Sequence, residues 1–178
     1  MTKHVLGDVL FPADQLKRRC AELVDELAPS LVSQDVVMIG LLRGSFIFLA
    51  DLVRELYRHR IHPRIDFMIL ESYYDGTESS GDVHISRDCG IDVQGAHLLV
   101  VDDILDSGRT LTRARDHLLE RGAASVRTCV LLDKPSRRRV PFEADFVGFA
   151  IDDLFVVGYG LDYAGRYREL PYISHVTQ

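Results

Sequence analysis

The sequence predicts an α/β fold: a parallel β-sheet flanked by helices, with a small β-rich hood. Three observations predict it. Short apolar runs recur along the 178 residues, each ending in glycine, acids or a polar turn, as buried strands of a parallel sheet do. Amphipathic stretches of helical length lie between them, and strand–helix–strand repetition favours right-handed crossovers. After residue 140 the helices stop and short strands and turns take over.

The elements follow in order. "PADQLKRRCAELVDELAPS" places Leu16, Cys20, Leu23, Val24 and Leu27 on one helical face, with Pro12 and Pro29 as its brackets. "DVVMIG" reads as a buried strand, "LLRGS" as a tight turn, "FIFLADLVRELYRHR" as a helix and "RIDFMIL" as the next strand. Residues 71–88, "ESYYDGTESSGDVHISRD", are polar and glycine-containing, which predicts a long connection or mobile hairpin. Residues 97–101 read as a strand, followed by an acidic turn and a helix over about 110–121, with Gly122 as its stop. "SVRTCVLLDK" is another strand, and "DFVGFAI" and "LFVVGYGLDY" belong to the hood. There is no internal repeat or linker-like tract, so the chain reads as one domain. Its core covers about 30–140, and its hood combines the N-terminal segment with about 141–178.

Composition narrows the function. A formal charge of −6 argues against non-specific nucleic-acid binding. No apolar run is long enough to span a membrane, and the N-terminus lacks the apolar core of a signal peptide. Cys20, Cys89 and Cys129 are odd in number and far apart, which predicts reduced, buried thiols in a cytoplasmic protein. His59 and His62 have no zinc-ligand pattern, and no redox cofactor has a signature.

The chemistry concentrates in "HLLVVDDILDSGRTLTRARDHLLERG", residues 97–122. Open α/β sheets bind ligands beyond the carboxyl ends of their strands, where Asp102, Asp103 and Asp106 fall. Residues 106–110 open a helix, whose free N–H groups and dipole attract anions. Ser107 and Thr110 add hydroxyl donors, and Gly108 permits close approach. The turn therefore suits a phosphate, and the acids beside it suit a divalent metal or hydroxyl groups. Asp, Ser and Gly also make ordinary helix caps. The adjacent Asp102–Asp103 pair tips the balance, because buried acids are costly unless something meets them. Neither a Walker A loop nor a dinucleotide-binding glycine fingerprint is present.

"VVDDILDSGRTL" resembles the phosphoribosyl-diphosphate loop of type I phosphoribosyltransferases. "GLLRGSFIFLADL", "SYYDGTESSGDVHISRD" and "LLDKPSRR" resemble the diphosphate loop, catalytic flexible loop and base-recognition segment of the 6-oxopurine branch. "DFVGFAIDDLFVVGYGLDYAGRYRELPYI" is similar to the C-terminal signature of the branch members that take hypoxanthine and guanine. The acidic loop marks the superfamily, and the C-terminal signature is the more specific.

The resemblance implies transfer of 5-phosphoribosyl from 5-phosphoribosyl 1-diphosphate (PRPP) to N9 of a 6-oxopurine, with Mg²⁺ as cofactor. It implies that Asp102 and Asp103 meet the ribose hydroxyls beside a first Mg²⁺, and that Asp162 lies near a second metal site. Asp106 is the implied general base. Asp106, Ser107, Gly108, Arg109 and Thr110 hold the 5′-phosphate, and Arg43, Gly44 and Arg168 hold diphosphate. Lys134 donates to the purine 6-oxo group, Phe155 stacks on the ring, Val156 reads it through its backbone, and Asp162 lies near the 2-position. Ser72 and Tyr73 open the lid. "RRR" at 137–139 is expected to be mainly solvated surface with a weak steering effect. Relatives imply a homodimer or homotetramer, with small-molecule substrates and no nucleic-acid or membrane partner. The competing readings are a non-catalytic RNA-binding regulator on the same fold and an enzyme preferring xanthine. Lys134, Phe155, "VGYGLDY" and the acidic charge favour the purine enzyme, since a lysine donor suits a 6-oxo acceptor.

Overall fold

The computed structural model describes residues 5–31, 35–72 and 83–177, though not the side chains of Val5 and Ser72. The main sheet has six strands: β2 (Val36–Leu42), β3 (Arg64–Ser72), β4 (Val83–Arg87), β5 (His97–Leu105), β6 (Ser125–Asp133) and β7 (Phe146–Ala150). Their order is β4-β3-β2-β5-β6-β7, and every pairing is parallel except β3 with β4. A second sheet, β1-β9-β8, joins β1 (Val5–Phe11), β8 (Val156–Val157) and β9 (Ile173–Thr177), so the hood draws on both ends of the described chain.

Three helices cover the main sheet: α1 (Ala13–Leu31), α2 (Phe46–Leu56) and α3 (Arg109–Glu120). Strand alternation sorts the core into two layers. Leu99 and Val101 of β5 pack with Leu16, Leu23, Phe48 and Leu52 from α1 and α2. Leu98 and Val100 turn the other way, towards Leu111, Ala114 and Leu118 of α3. Leu52 is fully buried, so Leu52→Ala should cost about 2–5 kcal/mol. Strand order changes direction between β2 and β5, and α2 and α3 leave their ends for opposite faces. That switch point opens the crevice where the site lies.

Four expectations need correction. Pro29 lies inside α1, in its last turn, and does not end it. Its fixed φ is helical and only one backbone bond is lost, while buried Leu27, Ala28 and Leu31 hold the turn to the core. β5 runs on to Leu105, so Asp102 and Asp103 sit on the strand and only Asp106 begins the turn. Its ladder with β6 continues to Leu105↔Asp133, which carries the acids along. β7 pairs in parallel with β6 and belongs to the main sheet, so the second sheet takes its C-terminal strands from beyond it. "LFVVGYGLDY" supplies only the two residues of β8, because Gly158, Tyr159 and Gly160 all have positive φ and turn the chain away. The 71–88 connection is flanked by strands: Ser72 ends β3, and 83–87 form β4, antiparallel to it. Residues 73–82, Tyr73 among them, lie outside the described residues.

The three cysteines are free and buried. Burial pushes the Cys20 thiol up to about 11 and also raises Cys89 and Cys129, so all three are protonated packing groups at neutral pH.

Candidate active site

A cleft of about 720 Å³ opens at the carboxyl ends of β2, β3 and β5. Its phosphate-like corner is the turn between β5 and α3. Gly108 is the N-cap of α3 at φ +85, and an added Cβ would lie 3.1 Å from Phe142 Cβ and Val140 Cγ2. Conformation and space both call for glycine. The Ser107 hydroxyl accepts from the Arg109 N–H at 3.3 Å, and the Ser107 carbonyl accepts from the N–H groups of Arg139 and Val140. The turn is thus braced from behind, and residues 106–111, at the start of α3, line the cleft, where the N–H groups of a helix N-terminus suit an anion.

The acids form the opposite wall. Asp102 is buried and Asp103 half-buried. Asp102 accepts the Asp103 N–H at 3.0 Å, and Asp103 accepts the Ile104 N–H at 2.8 Å. Burial, and then the neighbouring Asp103 charge, hold Asp102 well above the usual carboxylate range. Burial also raises Asp103, partly offset by hydrogen bonds and the positive charge of Arg168. Neither acid has an ion pair among the described residues. Such a pair is poised for a cation or for hydroxyl donors.

Arg43 and Gly44 follow β2 and close the third side. Gly44 packs directly on the acids: a Cβ there would stand 1.5 Å from Asp103 Oδ2. Behind it, a Cβ on Gly160 would stand 2.1 Å from the Gly44 carbonyl oxygen. The diphosphate-like loop is therefore pinned between Asp103 and the "GYG" turn. Asp162 and Arg168 complete the wall. Arg168 donates to the Gly160 carbonyl at 2.6 Å and pairs with Asp162 at 2.7 Å, while Asp162 also accepts the Gly165 N–H at 2.7 Å.

Comparison with known proteins agrees with this geometry. The family model for the phosphoribosyl transferase domain matches residues 11–164. A hypoxanthine phosphoribosyltransferase of Escherichia coli K12 is 46% identical over 176 residues, covering 98% of this chain and 97% of that protein. A hypoxanthine-guanine phosphoribosyltransferase of Streptococcus pneumoniae is 42% identical, covering 98% and 95%. The crystal structure of a hypoxanthine phosphoribosyltransferase from Staphylococcus aureus superposes with a TM-score of 0.91 at 40% identity, covering 97% of this chain and 92% of that one. The chain belongs to the phosphoribosyltransferase family.

In this phosphoribosyltransferase the cleft gathers Arg43, Gly44, Asp102, Asp103, residues 106–110, Asp162 and Arg168, as expected. Lys134, Phe155 and Val156 do not line it and stand to one side. Lys134 follows β6; its N–H bonds the Leu105 carbonyl, and its buried ammonium lies 3.8 Å from Asp153. Phe155 is 54% exposed and meets Tyr163 edge-on at 5.5 Å, so it is no core residue. The Phe155 carbonyl accepts the Val176 N–H, which makes Val156 a non-hydrogen-bonded position of the β8–β9 ladder. The N–H and carbonyl of Val156 therefore face the free edge of β8. Asp162 is spent on Arg168 and Gly165, and among the described residues no three acids, histidines or cysteines converge as a metal cage.

Sequence reasoning undervalued Arg137 and Arg139, which line the cleft. Arg137 donates to Asp106 at 3.1 Å and reaches Asp153 at 3.5 Å. Their place just after Lys134 was the available signal. Glu71 also lines the cleft, and nothing in its sequence context marks it.

Proposed function

We propose that this single-domain protein salvages purines, transferring 5-phosphoribosyl from PRPP to N9 of hypoxanthine and of guanine, and releasing diphosphate with IMP or GMP. One observation carries the reading. An anion-binding helix N-terminus, an uncompensated acid pair and a glycine-pinned diphosphate-like loop share one cleft, with a buried lysine at the next strand end. A ligand with phosphate, diol and diphosphate parts fits all of them.

The C1–O bond breaks, diphosphate leaves with the electron pair, and N9 bonds to C1. Positive charge grows on the ribose ring, where Asp102 and Asp103 stabilise it. Negative charge grows on the leaving diphosphate, which Arg168, Arg43 and the Gly44 backbone hold. Asp106 accepts the purine proton once substrate draws it from Arg137. Lys134 donates to the 6-oxo group, Phe155 covers the ring, and the Val156 backbone faces its edge. Catalysis of this kind rests on positioning and fixed charge. The acid pair fits Mg²⁺, which takes one or two carboxylates and completes its shell with substrate oxygens and water. When bound, Mg²⁺ neutralises diphosphate charge; Asp102 and Asp103 would hold it, directly or through water. The flexible-loop segment, about 71–88, is proposed as the lid that excludes water, with Ser72 and Tyr73 at its start.

Buried free thiols support a cytoplasmic setting, and the relatives' resemblance supports a homodimer or homotetramer. Among the described residues no helix is long and apolar enough to cross a membrane. The deciding experiment supplies PRPP and Mg²⁺ with hypoxanthine, guanine, xanthine, adenine or orotate separately, and measures nucleotide formed. Turnover of hypoxanthine and guanine is expected. Failure with every base, or a preference for xanthine, overturns the reading.

A further inference from the structure

Arg137 and Arg139 face the cleft, but Arg138 between them does not line it. Its half-buried side chain borders a separate hollow with Asp133, Phe142 and Arg115. Its Nη1 donates to the carbonyls of Leu105 at 3.1 Å, Asp106 at 2.5 Å and Lys134 at 3.5 Å, and its Nη2 bonds the Asp133 carboxylate. These acceptors come from two different segments, the start of the phosphate turn and the end of β6.

Their location gives the bonds their meaning. The β5–β6 ladder ends at Leu105↔Asp133, closed by the Lys134 N–H on the Leu105 carbonyl. One residue further on, the chains part: Asp106 enters the phosphate turn and Lys134 enters the base segment. No strand pairing holds them at a fixed separation there. The guanidinium of Arg138 takes over where the ladder stops. A planar fork with five donors in fixed directions reaches both the carbonyls and the Asp133 carboxylate with less ordering than a flexible ammonium with three donors needs.

We propose that Arg138 is a positioning residue that sets the distance between the phosphate turn, with Asp106, and the purine-recognising Lys134. This rests on the proposed transfer to a purine. The reaction needs C1 of a ribose anchored on the turn to meet N9 of a base anchored at Lys134. Because Asp133 neutralises Arg138, it adds little field to the cleft, and its effect falls on geometry. A misplacement of about 1 Å costs on the order of 10²-fold in rate.

The test compares wild type, Arg138→Met and Arg138→Lys in steady-state turnover of hypoxanthine. Binding of inorganic diphosphate with Mg²⁺ and binding of IMP are measured by calorimetry. Diphosphate touches only the far wall, whereas IMP spans both anchors. Arg138→Met should lose on the order of 10²-fold in kcat and ~10-fold in IMP affinity, with diphosphate affinity within ~3-fold of wild type. Arg138→Lys keeps the charge on Asp133, so it folds, and should lose ~10-fold in kcat. Wild-type kcat in either variant overturns the role. So does a parallel loss of diphosphate affinity, which marks general damage to the fold. If Arg138→Met does not fold, Arg138→Lys decides alone. A wild-type chain without turnover overturns the proposed function and this role with it, whereas an active wild type with an unimpaired variant overturns this role only.

Discussion

Asp88, just beyond β4, and the Asp102–Asp103 pair on β5 are acidic sites treated in opposite ways. Asp88 is fully met: His117 lies 2.7 Å away, Arg121 donates at 2.9 Å, and the Cys89 N–H donates at 2.8 Å. Burial alone would raise its pKa, but these partners pull it below the ordinary value. In the cleft pair Asp102 is buried and Asp103 half-buried, neither has an ion pair among the described residues, and both members are raised. The fold completes the charges it uses to hold itself and leaves open those it offers to a ligand. Asp106 and Lys134 lie between these extremes, each held by a partner, Arg137 and Asp153, that substrate can displace.

The largest effect should come from a charge that does the chemistry. Asp106→Asn keeps the turn and removes the base, so kcat should fall about 10²–10⁴-fold with PRPP binding little changed. Near wild-type kcat, where chemistry limits the rate, would move Asp106 to the structural class. Next is Lys134→Met, which keeps the apolar stem. A charged donor to a partly buried carbonyl is worth roughly 1.5–3 kcal/mol, so kcat/KM for hypoxanthine should fall on the order of 10–100-fold. The Kd for PRPP should hold, and an equal loss in both would contradict base recognition.

The two acidic sites should then separate by stability. Asp102 has a folded-state pKa raised above its unfolded value, so it stabilises at low pH and loses that contribution as pH rises through the raised value. Asp102→Asn removes the strain at neutral pH and should raise Tm by about 2–4 °C per ~1 kcal/mol released, while turnover collapses. A lower Tm would mean the pair is satisfied without ligand. Asp88 has the opposite sign. Its folded-state pKa is depressed, so its contribution is present above the unfolded value of about 3.9 and is lost as pH falls through the folded one. Its side chain is 38% exposed, so screening limits the effect: Asp88→Asn should cost about 0.5–1 kcal/mol at neutral pH. Thermal melts from pH 7 down to pH 3 should show the gap closing; a constant gap would remove the ion pairs as its cause.

How legible each feature was in the sequence follows from the same contrast. The cleft acids, the phosphate turn and Gly44 stand in short contiguous motifs, because one strand end or one helix start positions each. Period and punctuation likewise placed the three helices and most strands. The Asp88 anchor was invisible, since its side-chain partners lie about 30 residues away, on α3 and just past its end, and only folding brings them together. The extension of β5 past the acids depends on its ladder with β6, and the helical place of Pro29 depends on core contacts beneath it. Arg137 and Arg139 read as solvated charge because hydropathy reports polarity, not the direction of a side chain at a strand end.

The pairing of β1 with β9 has a consequence for biosynthesis. Phe11 meets Ile173 and Val5 meets Thr177, so the first strand made waits for the last. At a synthesis rate of ~5–20 residues per second, β1 stays unpaired for roughly 8–30 s. The main sheet has no such delay, because its strands from β2 to β7 pair within a shorter stretch of chain. While β1 waits, the strands of the main sheet can already pair, with one short strand still bare. Arg168 and the "GYG" turn that pins Gly44 are made in the same interval as β9, so cleft and hood mature together, after the main sheet.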